Sequence, residues 1–510
     1  MQAEVNSQNQ ATSHLIKTLF LVGVLLSCMV ILAFQNIPFL DYPNHLARYY
    51  LLSRDYGSPL YNQFYTNNFR IIPNMGVDVL MAGIGRIMDP SLGLRILLAG
   101  TILSASMGYA KLSLLRNKGL WHPAVILIPL TLFSFSMILG FLNFVLAASI
   151  LPWAIYWYEK NEGATARFVN VLLFTLVLFF CHLMVAALLL IIVAAKLASH
   201  PKGKEKLIGI GSVGGALLMS AVLYKVSSVS TEASTIVFST VVEKLKFFFS
   251  CMSFGPGWMA TNGLTFLALG ALLVVGFSGI KRDDRIVLFA LLGFYVVCPF
   301  GFKITANMDG RIPAILFTLF LATLRHEPSG ELRPRLRLLS SAFFFVVLIN
   351  LVSIFMVIRR GDQEARKMRG ILREIPAGDT LFIADISQWR ADHRANWYPA
   401  YRMLAFYTAI DRPIFISGLF SYPSQQPVIL KPELQGVGYA TRAFKESDTV
   451  ESQVRETMSE IRPRLTLMKK LGINKSWIFF VNYESTGFSG IQIPGKVYED
   501  QNYVLAHVDN

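Results

Sequence analysis

Long apolar runs separated by short polar intervals fill most of the chain. Runs approaching the ~20 residues that cross a bilayer lie at 15–34, 91–115, 121–138, 141–158, 207–226, 263–280, 286–302, 312–324 and 338–358. The run 168–199 is long for one span and short for two. Basic loops decide between them. If the chain reverses near Cys181-His182, Arg116–Lys118, Lys202–Lys206, Lys281–Arg285 and Arg325–Arg337 all fall on one side. Read as one span, it would put the last three opposite the first. A hairpin is therefore predicted, and with it about eleven spans.

The intervals carry their own patterns. The polar start, 1–14, is predicted to be disordered, and 15–34 lacks a cleavage site and reads as a retained span. A long loop, 35–73, holds Asp41 and a Tyr/Asn-rich patch, Tyr61 to Asn68. A short helix is expected after Pro73, with Asn74 and Asp78 one turn apart. Trp153, Tyr156, Trp157 and Tyr158 form an interfacial aromatic belt, and 241–249 is amphipathic. After 358 the composition turns soluble. Strand-like runs at 380–386, 413–417, 477–482 and 503–508 alternate with helical stretches at 397–410 and 452–471, the second interrupted by Pro463. The fold class is thus a polytopic α-helical membrane protein, 15–358, with a C-terminal soluble α/β domain, 359–510. One feature resists this topology. Arg359, Arg360, Arg366, Lys367, Arg369 and Arg373 cluster just past the last span, on the side expected to be poor in basic residues.

Composition agrees. Of 510 residues, 54% are hydrophobic and only 15% charged, whereas a water-soluble domain carries about a quarter charged residues. The net charge of +15 is assigned to loops, and no zinc-finger or RNA-binding signature points to nucleic acid. The four cysteines, Cys28, Cys181, Cys251 and Cys298, are far apart and show no metal or disulfide spacing.

The candidate chemistry starts at Asp41-Tyr42-Pro43-Asn44-His45-Leu46-Ala47-Arg48. With Pro43 in the first turn of a helix, Asp41, His45 and Arg48 share a face at the membrane surface. Asp41 suits an N-cap, and a capping carboxylate keeps its second oxygen for other work. On the predicted topology the same side collects Arg54, Arg70, Asp78, Lys303, Asp309 and Arg311. Guanidinium forks suit a phosphate ester, and a carboxylate can take the proton of an acceptor hydroxyl. Plainer roles stand beside these: Asp78 pairing with Arg70, Asp309 with Arg311 in a loop ion pair, and His182 as the buried turn of a hairpin.

The order of these features resembles the C-type (GT-C) integral-membrane glycosyltransferases, whose relatives include protein O-mannosyltransferases and bacterial lipid A aminoarabinose transferases. The residues that carry the resemblance are Asp41 to Arg48, Gly140-Phe141-Leu142-Asn143-Phe144, Cys181-His182-Leu183 and Asp309-Gly310-Arg311-Ile312-Pro313. The resemblance implies a polyprenyl-phosphate-linked sugar as donor, with a glycan, lipid or protein as acceptor. It implies Asp41 as general base, a bacterial inner membrane and a periplasmic C-terminal part. His45, Arg48, Arg70, Asp78, Lys303, Asp309 and Arg311 are then the substrate- and phosphate-binding candidates. No metal ligand is assigned: many members pair two acidic residues where Asp41 is followed by Tyr42. A divalent cation, Mg or Mn, would have to recruit Asp78 or Asp309. Two other readings remain, a flippase for a lipid-linked glycan and a non-catalytic scaffold. The first expects inverted repeats and charges near the bilayer centre.

Overall fold

The computed structural model describes residues 2–68, 70–199, 203–227, 235–251, 270, 280–302, 305–325, 333–386, 402–419, 421, 426–435, 437, 449–473, 475–481, 488 and 491–509. In chain order these form α1 (Gln2–Leu32), α2 (Tyr42–Ser53), α3 (Pro59–Phe64), β1 (Tyr65–Asn67), α4 (Gly76–Ile87) and α5 (Pro90–Arg116). A broken stretch follows: a 3-10 turn (Pro123–Leu127), α6 (Ile128–Leu132) and α7 (Phe135–Ile138). Then come α8 (Leu142–Lys160), α9 (Ala164–Ser199), α10 (Lys204–Val226), β2 (Ile236–Val237), α11 (Val241–Ser250), α12 (Arg282–Val297), β3 (Gly301–Phe302), α13 (Ile312–Thr323) and α14 (Arg333–Ile371). The rest is β4 (Thr380–Asp385), α15 (Thr408–Asp411), β5 (Phe415–Ile416), β6 (Val428–Leu430), α16 (Val450–Lys470), β7 (Lys475–Val481), β8 (Lys496–Glu499) and β9 (Tyr503–Asp509).

Five of the described helices are long and apolar enough to cross a membrane: 10–32, 90–116, 164–199, 205–226 and 336–374. The expected span 263–280 lies almost wholly outside the described residues. The expected span 121–138 is not one helix. Pro123 and Pro129 each lack a backbone N–H, so the stretch breaks into three short pieces.

The chain divides into two units, 1–33 with 70–77 and 95–357, and 34–69 with 78–94 and 358–510. In the first, α9 loses helical geometry at His182 (φ −165°, ψ 113°). A straight helix of 36 residues would be about 54 Å long. Yet Lys196, near its end, lies 2.7 Å from Glu159, which precedes its start, and Arg167 lies 3.6 Å from Glu205. Both ends of α9 are therefore together, and the chain reverses at His182. Asn74, at φ 68° in a turn rather than in the expected helix, accepts the Leu183 N–H with its side chain, while Met75 N–H bonds Phe180 C=O. Gly76 lets this turn approach: a Cβ there would sit 2.9 Å from Cys181 Sγ and 3.0 Å from its Cα.

At the other end of the α9 hairpin, three of the four basic loops lend charge to one buried cluster. Arg116 pairs with Glu159 (2.6 Å) and Asp284 (3.1 Å), Lys196 also reaches Asp284 (3.3 Å), and Arg325 joins Asp284 (3.2 Å). Arg325 also donates to the Arg116 carbonyl at 3.1 Å. Charges this deep persist only when mutually paired.

The second unit carries a five-stranded sheet in the order β5-β4-β7-β9-β8. β4 is parallel to β5 and β7, and β9 is antiparallel to β7 and β8. β1 from the early loop pairs antiparallel with β6, Thr66 facing Ile429. The expected helix 397–410 is a 3-10 turn (Arg402–Tyr407) and α15, with 397–401 outside the described residues. α16 runs through Pro463 without interruption and buries Val454, Thr457, Ile461, Leu465 and Met468 on one face. The basic cluster after 358 continues α14 and is neutralised within this unit. Arg366 pairs with Asp362 (2.9 Å), Lys367 with Asp500 (2.7 Å) and Arg369 with Asp411.

Candidate functional site

Asp41 precedes α2, with Pro43 in the first turn. Its backbone is already helical (φ −90°, ψ −6°), and its side chain makes no capping hydrogen bond. A capping side chain reaches back from an extended residue, so the N-cap reading is not realised, and the half-buried carboxylate serves elsewhere.

One turn apart on α2, His45 and Arg48 point the same way into the second unit. Asp78, in the first turn of α4, receives the Arg48 fork: Nε at 2.8 Å and Nη2 at 2.7 Å from Oδ1. Arg48 is fully buried and Asp78 1% exposed, so Asp78 takes Arg48 as ion-pair partner, while Arg70 is exposed. Arg48 Nη2 also lies 2.8 Å from His45 Nδ1. A guanidinium can only donate, so Nδ1 accepts and the His45 proton resides on Nε2. Burial, and then the Arg48 charge, push the His45 imidazole well below its ordinary pKa. The Arg48 guanidinium also stacks over Tyr49, its carbon 5.4 Å from the ring centre. Burial and then the Asp78 charge push the Tyr49 hydroxyl well above its usual range.

A second cluster stands in the first unit, at the His182 end of the helices. Arg311 closes a 3-10 turn (Asp309–Arg311) leading into α13, whose Pro313 sits in the first turn. Its Nη1 lies 2.7 Å from His182 Nε2, while Nε and Nη2 donate to the carbonyls of Asn307 (3.2 Å) and Ala306 (3.0 Å). Each of these acceptors is neutral. The Phe141 ring lies 3.9 Å beneath the guanidinium carbon, Phe144 lies 5.8 Å away, and Phe144 also meets His182 edge-on at 5.2 Å. Asn143, between those rings, accepts the Val77 N–H at 2.7 Å. Three separated stretches singled out in the sequence, Gly140–Phe144, Cys181–Leu183 and Asp309–Pro313, thus converge on one guanidinium.

Asp309 takes a different partner. Its Oδ2 lies 3.1 Å from Lys244 Nζ, and Oδ1 accepts the Gly310 N–H. Lys244 also donates to the carbonyls of Cys298 (2.7 Å) and Tyr295 (3.2 Å). The expected Asp309–Arg311 ion pair therefore gives way to Asp309–Lys244 and Arg311–His182. Sequence reasoning missed Lys244. Its only signal was a charge among the apolar positions of 241–249. His182 was foreseen as a turn and not as a partner of Arg311. Lys303 lies outside the described residues.

The carboxylates available for a divalent cation do not fit one. Asp78 is held by Arg48 and Asp309 by Lys244, and among the described residues no three His, Cys, Asp or Glu side chains gather as ligands.

The fold is that of the C-type integral-membrane glycosyltransferases that the sequence resembles. In particular it is similar to ArnT from Cupriavidus metallidurans. The ArnT structure bound to undecaprenyl phosphate superposes with a TM-score of 0.52 and the apo structure with 0.53. Each comparison covers 96% of this chain and 97% of the other at 11% identity. No protein-family model matches the chain, and no curated protein matches it by sequence.

Proposed function

We propose that this chain is a membrane glycosyltransferase that moves a sugar from a polyprenyl-phosphate donor to an acceptor hydroxyl on the outer face of a bacterial inner membrane. The observation that carries the reading is Arg311: a buried guanidinium walled by Phe141 and Phe144, bonded to neutral acceptors, at the non-cytoplasmic end of apolar helices. The fold likeness to ArnT, whose structure holds undecaprenyl phosphate, supports a lipid-phosphate ligand. In this reading Arg311 holds the donor phosphate by charge-assisted hydrogen bonds, and His45, Arg48, Asp78, Asp309 and Lys244 hold the surrounding backbone. Asp41 takes the proton of the acceptor hydroxyl as its oxygen attacks the anomeric carbon. The new C–O bond forms as the bond to the phosphate oxygen breaks. Polyprenyl phosphate leaves from the opposite face, and the configuration at that carbon inverts. The acceptor is a glycan, lipid or protein, and residues 359–510 face the periplasm. No step is routed through a divalent cation.

The test uses purified full-length protein in nanodiscs with a labelled polyprenyl-phosphate sugar and an acceptor. Asp41→Asn is expected to abolish transfer while the protein stays folded, inserted and able to bind donor. Full transfer by that variant removes Asp41 as base. Donor that crosses the bilayer unchanged replaces the enzyme with a flippase.

A further inference from the structure

We infer that His182 is a second ligand of the phosphate, donating through Nδ1–H to one of its oxygens beside Arg311. The inference rests on the reading of Arg311 as the phosphate holder. Its own basis is the tautomer. Arg311 Nη1 lies 2.7 Å from His182 Nε2, and a guanidinium has no lone pair to offer. Nε2 must therefore accept, and the imidazole is neutral with its proton on Nδ1. That nitrogen is buried and has no hydrogen-bond partner among the described residues. A buried N–H left without an acceptor is costly, and proteins rarely keep one without a use.

The surroundings specify what completes it. The ring is held from three sides: Arg311 at Nε2, Phe144 edge-on, and the Asn74 side chain fastening the next residue's N–H at 2.9 Å. An N–H donor fixed next to a guanidinium calls for one acceptor that can bridge both, and an oxyanion does so. A phosphodiester or phosphomonoester offers several oxygens on one centre. A carboxylate can serve the pair too, but the membrane setting favours the phosphate of a lipid. A neutral imidazole adds a donor without adding charge, so Arg311 remains the single cation of the pair.

The two ring nitrogens can be separated by substitution. His182→Asn places an amide N–H2 near the position of Nδ1 and gives up the acceptor for Arg311. His182→Gln places an amide oxygen near Nε2, keeps Arg311 in position and gives up the Nδ1 donor. Binding is measured on the full chain in nanodiscs, with undecaprenyl phosphate, inorganic phosphate and undecaprenol as probes, in neutral and phosphatidylglycerol-containing bilayers. The inference expects His182→Gln to weaken undecaprenyl phosphate binding roughly 10-fold or more, the worth of a hydrogen bond to a charged group. His182→Asn should lose less, and undecaprenol should bind alike in all forms. A gain from inorganic phosphate identifies the free ion as the source. Competition by phosphatidylglycerol identifies a bilayer headgroup. The reverse order, with Asn worse than Gln, makes His182 a positioning residue for Arg311 and overturns the inference. Equal binding by both variants and the parent also overturns it. If both variants fail to fold, 15N-histidine spectra of the parent decide: an Nδ1–H signal that saturating undecaprenyl phosphate leaves unmoved overturns the inference, and one that shifts supports it. Arg311→Met tests the underlying reading separately. Unchanged binding there removes the phosphate from this cluster, whereas lost binding with a silent His182→Gln removes only His182.

Discussion

Two arginine–histidine couples organise the buried polar chemistry, and they differ in how they were reached. His45 and Arg48 are one helical turn apart, so the couple was written in their spacing. Their partner Asp78 was visible as a candidate, but not as the ion pair that buries Arg48. Removing one member of a buried pair leaves an uncompensated charge, at a cost of about 3–5 kcal/mol. Asp78→Ala is therefore expected to destabilise the protein by that amount in thermal unfolding. Arg48→Met combined with Asp78→Leu should recover much of it. The couple also predicts a pH response. His45 is held neutral by burial and by Arg48, below its ordinary value of 6.5, with Asp78 and Tyr49 also packed around Arg48. The folded state then binds fewer protons than the unfolded state below that pH. Its stability is fully present above about pH 6.5 and falls as the pH drops further. His45→Gln should flatten this acid limb in unfolding measured from pH 7.5 to 5. An unchanged slope would assign the limb to other groups.

The elements show where local sequence rules hold and where contacts override them. Hydropathy located α1, α5, α10 and α14, because a long apolar stretch has few other stable forms in lipid. It failed at 121–138, where apolar content suggested a span and two prolines broke it. The opposite happened in α16, where Pro463 was expected to interrupt and did not. The α9 apex depends on a residue with little sequence signal. Gly76 has an ordinary backbone, and only the tertiary contact with Cys181 demands the missing Cβ. Gly76→Ala is expected to cost about 1–3 kcal/mol by overpacking, read as a lowered unfolding temperature. Cys181→Ala should restore only part, since the backbone Cα of residue 181 also stands 3.0 Å away.

Within the first unit as a whole, the same helices carry both ends of the argument. α9 turns at His182 and closes at Lys196. α13 begins at Arg311, and the chain beyond it returns Arg325 to the Arg116–Asp284 cluster. Glu159→Lys is expected to destabilise the protein by about 3–5 kcal/mol, and adding Lys196→Glu should recover part of the loss through the restored pair. That coupling, measured as a double-mutant cycle, exists only if α9 is a hairpin. A straight 164–199 helix predicts additive effects.

The sequence alone determined the membrane class, the reversal within 168–199 and the stretches worth watching. Those properties depend on the local apolar content of each run and on loop charge, which the order of residues states directly. The tertiary structure alone decided which charge meets which: Asp78 with Arg48, Asp309 with Lys244, Arg311 with His182. Arg311 and His182 are 129 positions apart, and their meeting is set by how α9 and α13 pack. Hydropathy ranks residues by their cost in lipid and is blind to which distant partner lowers that cost. That choice belongs to packing.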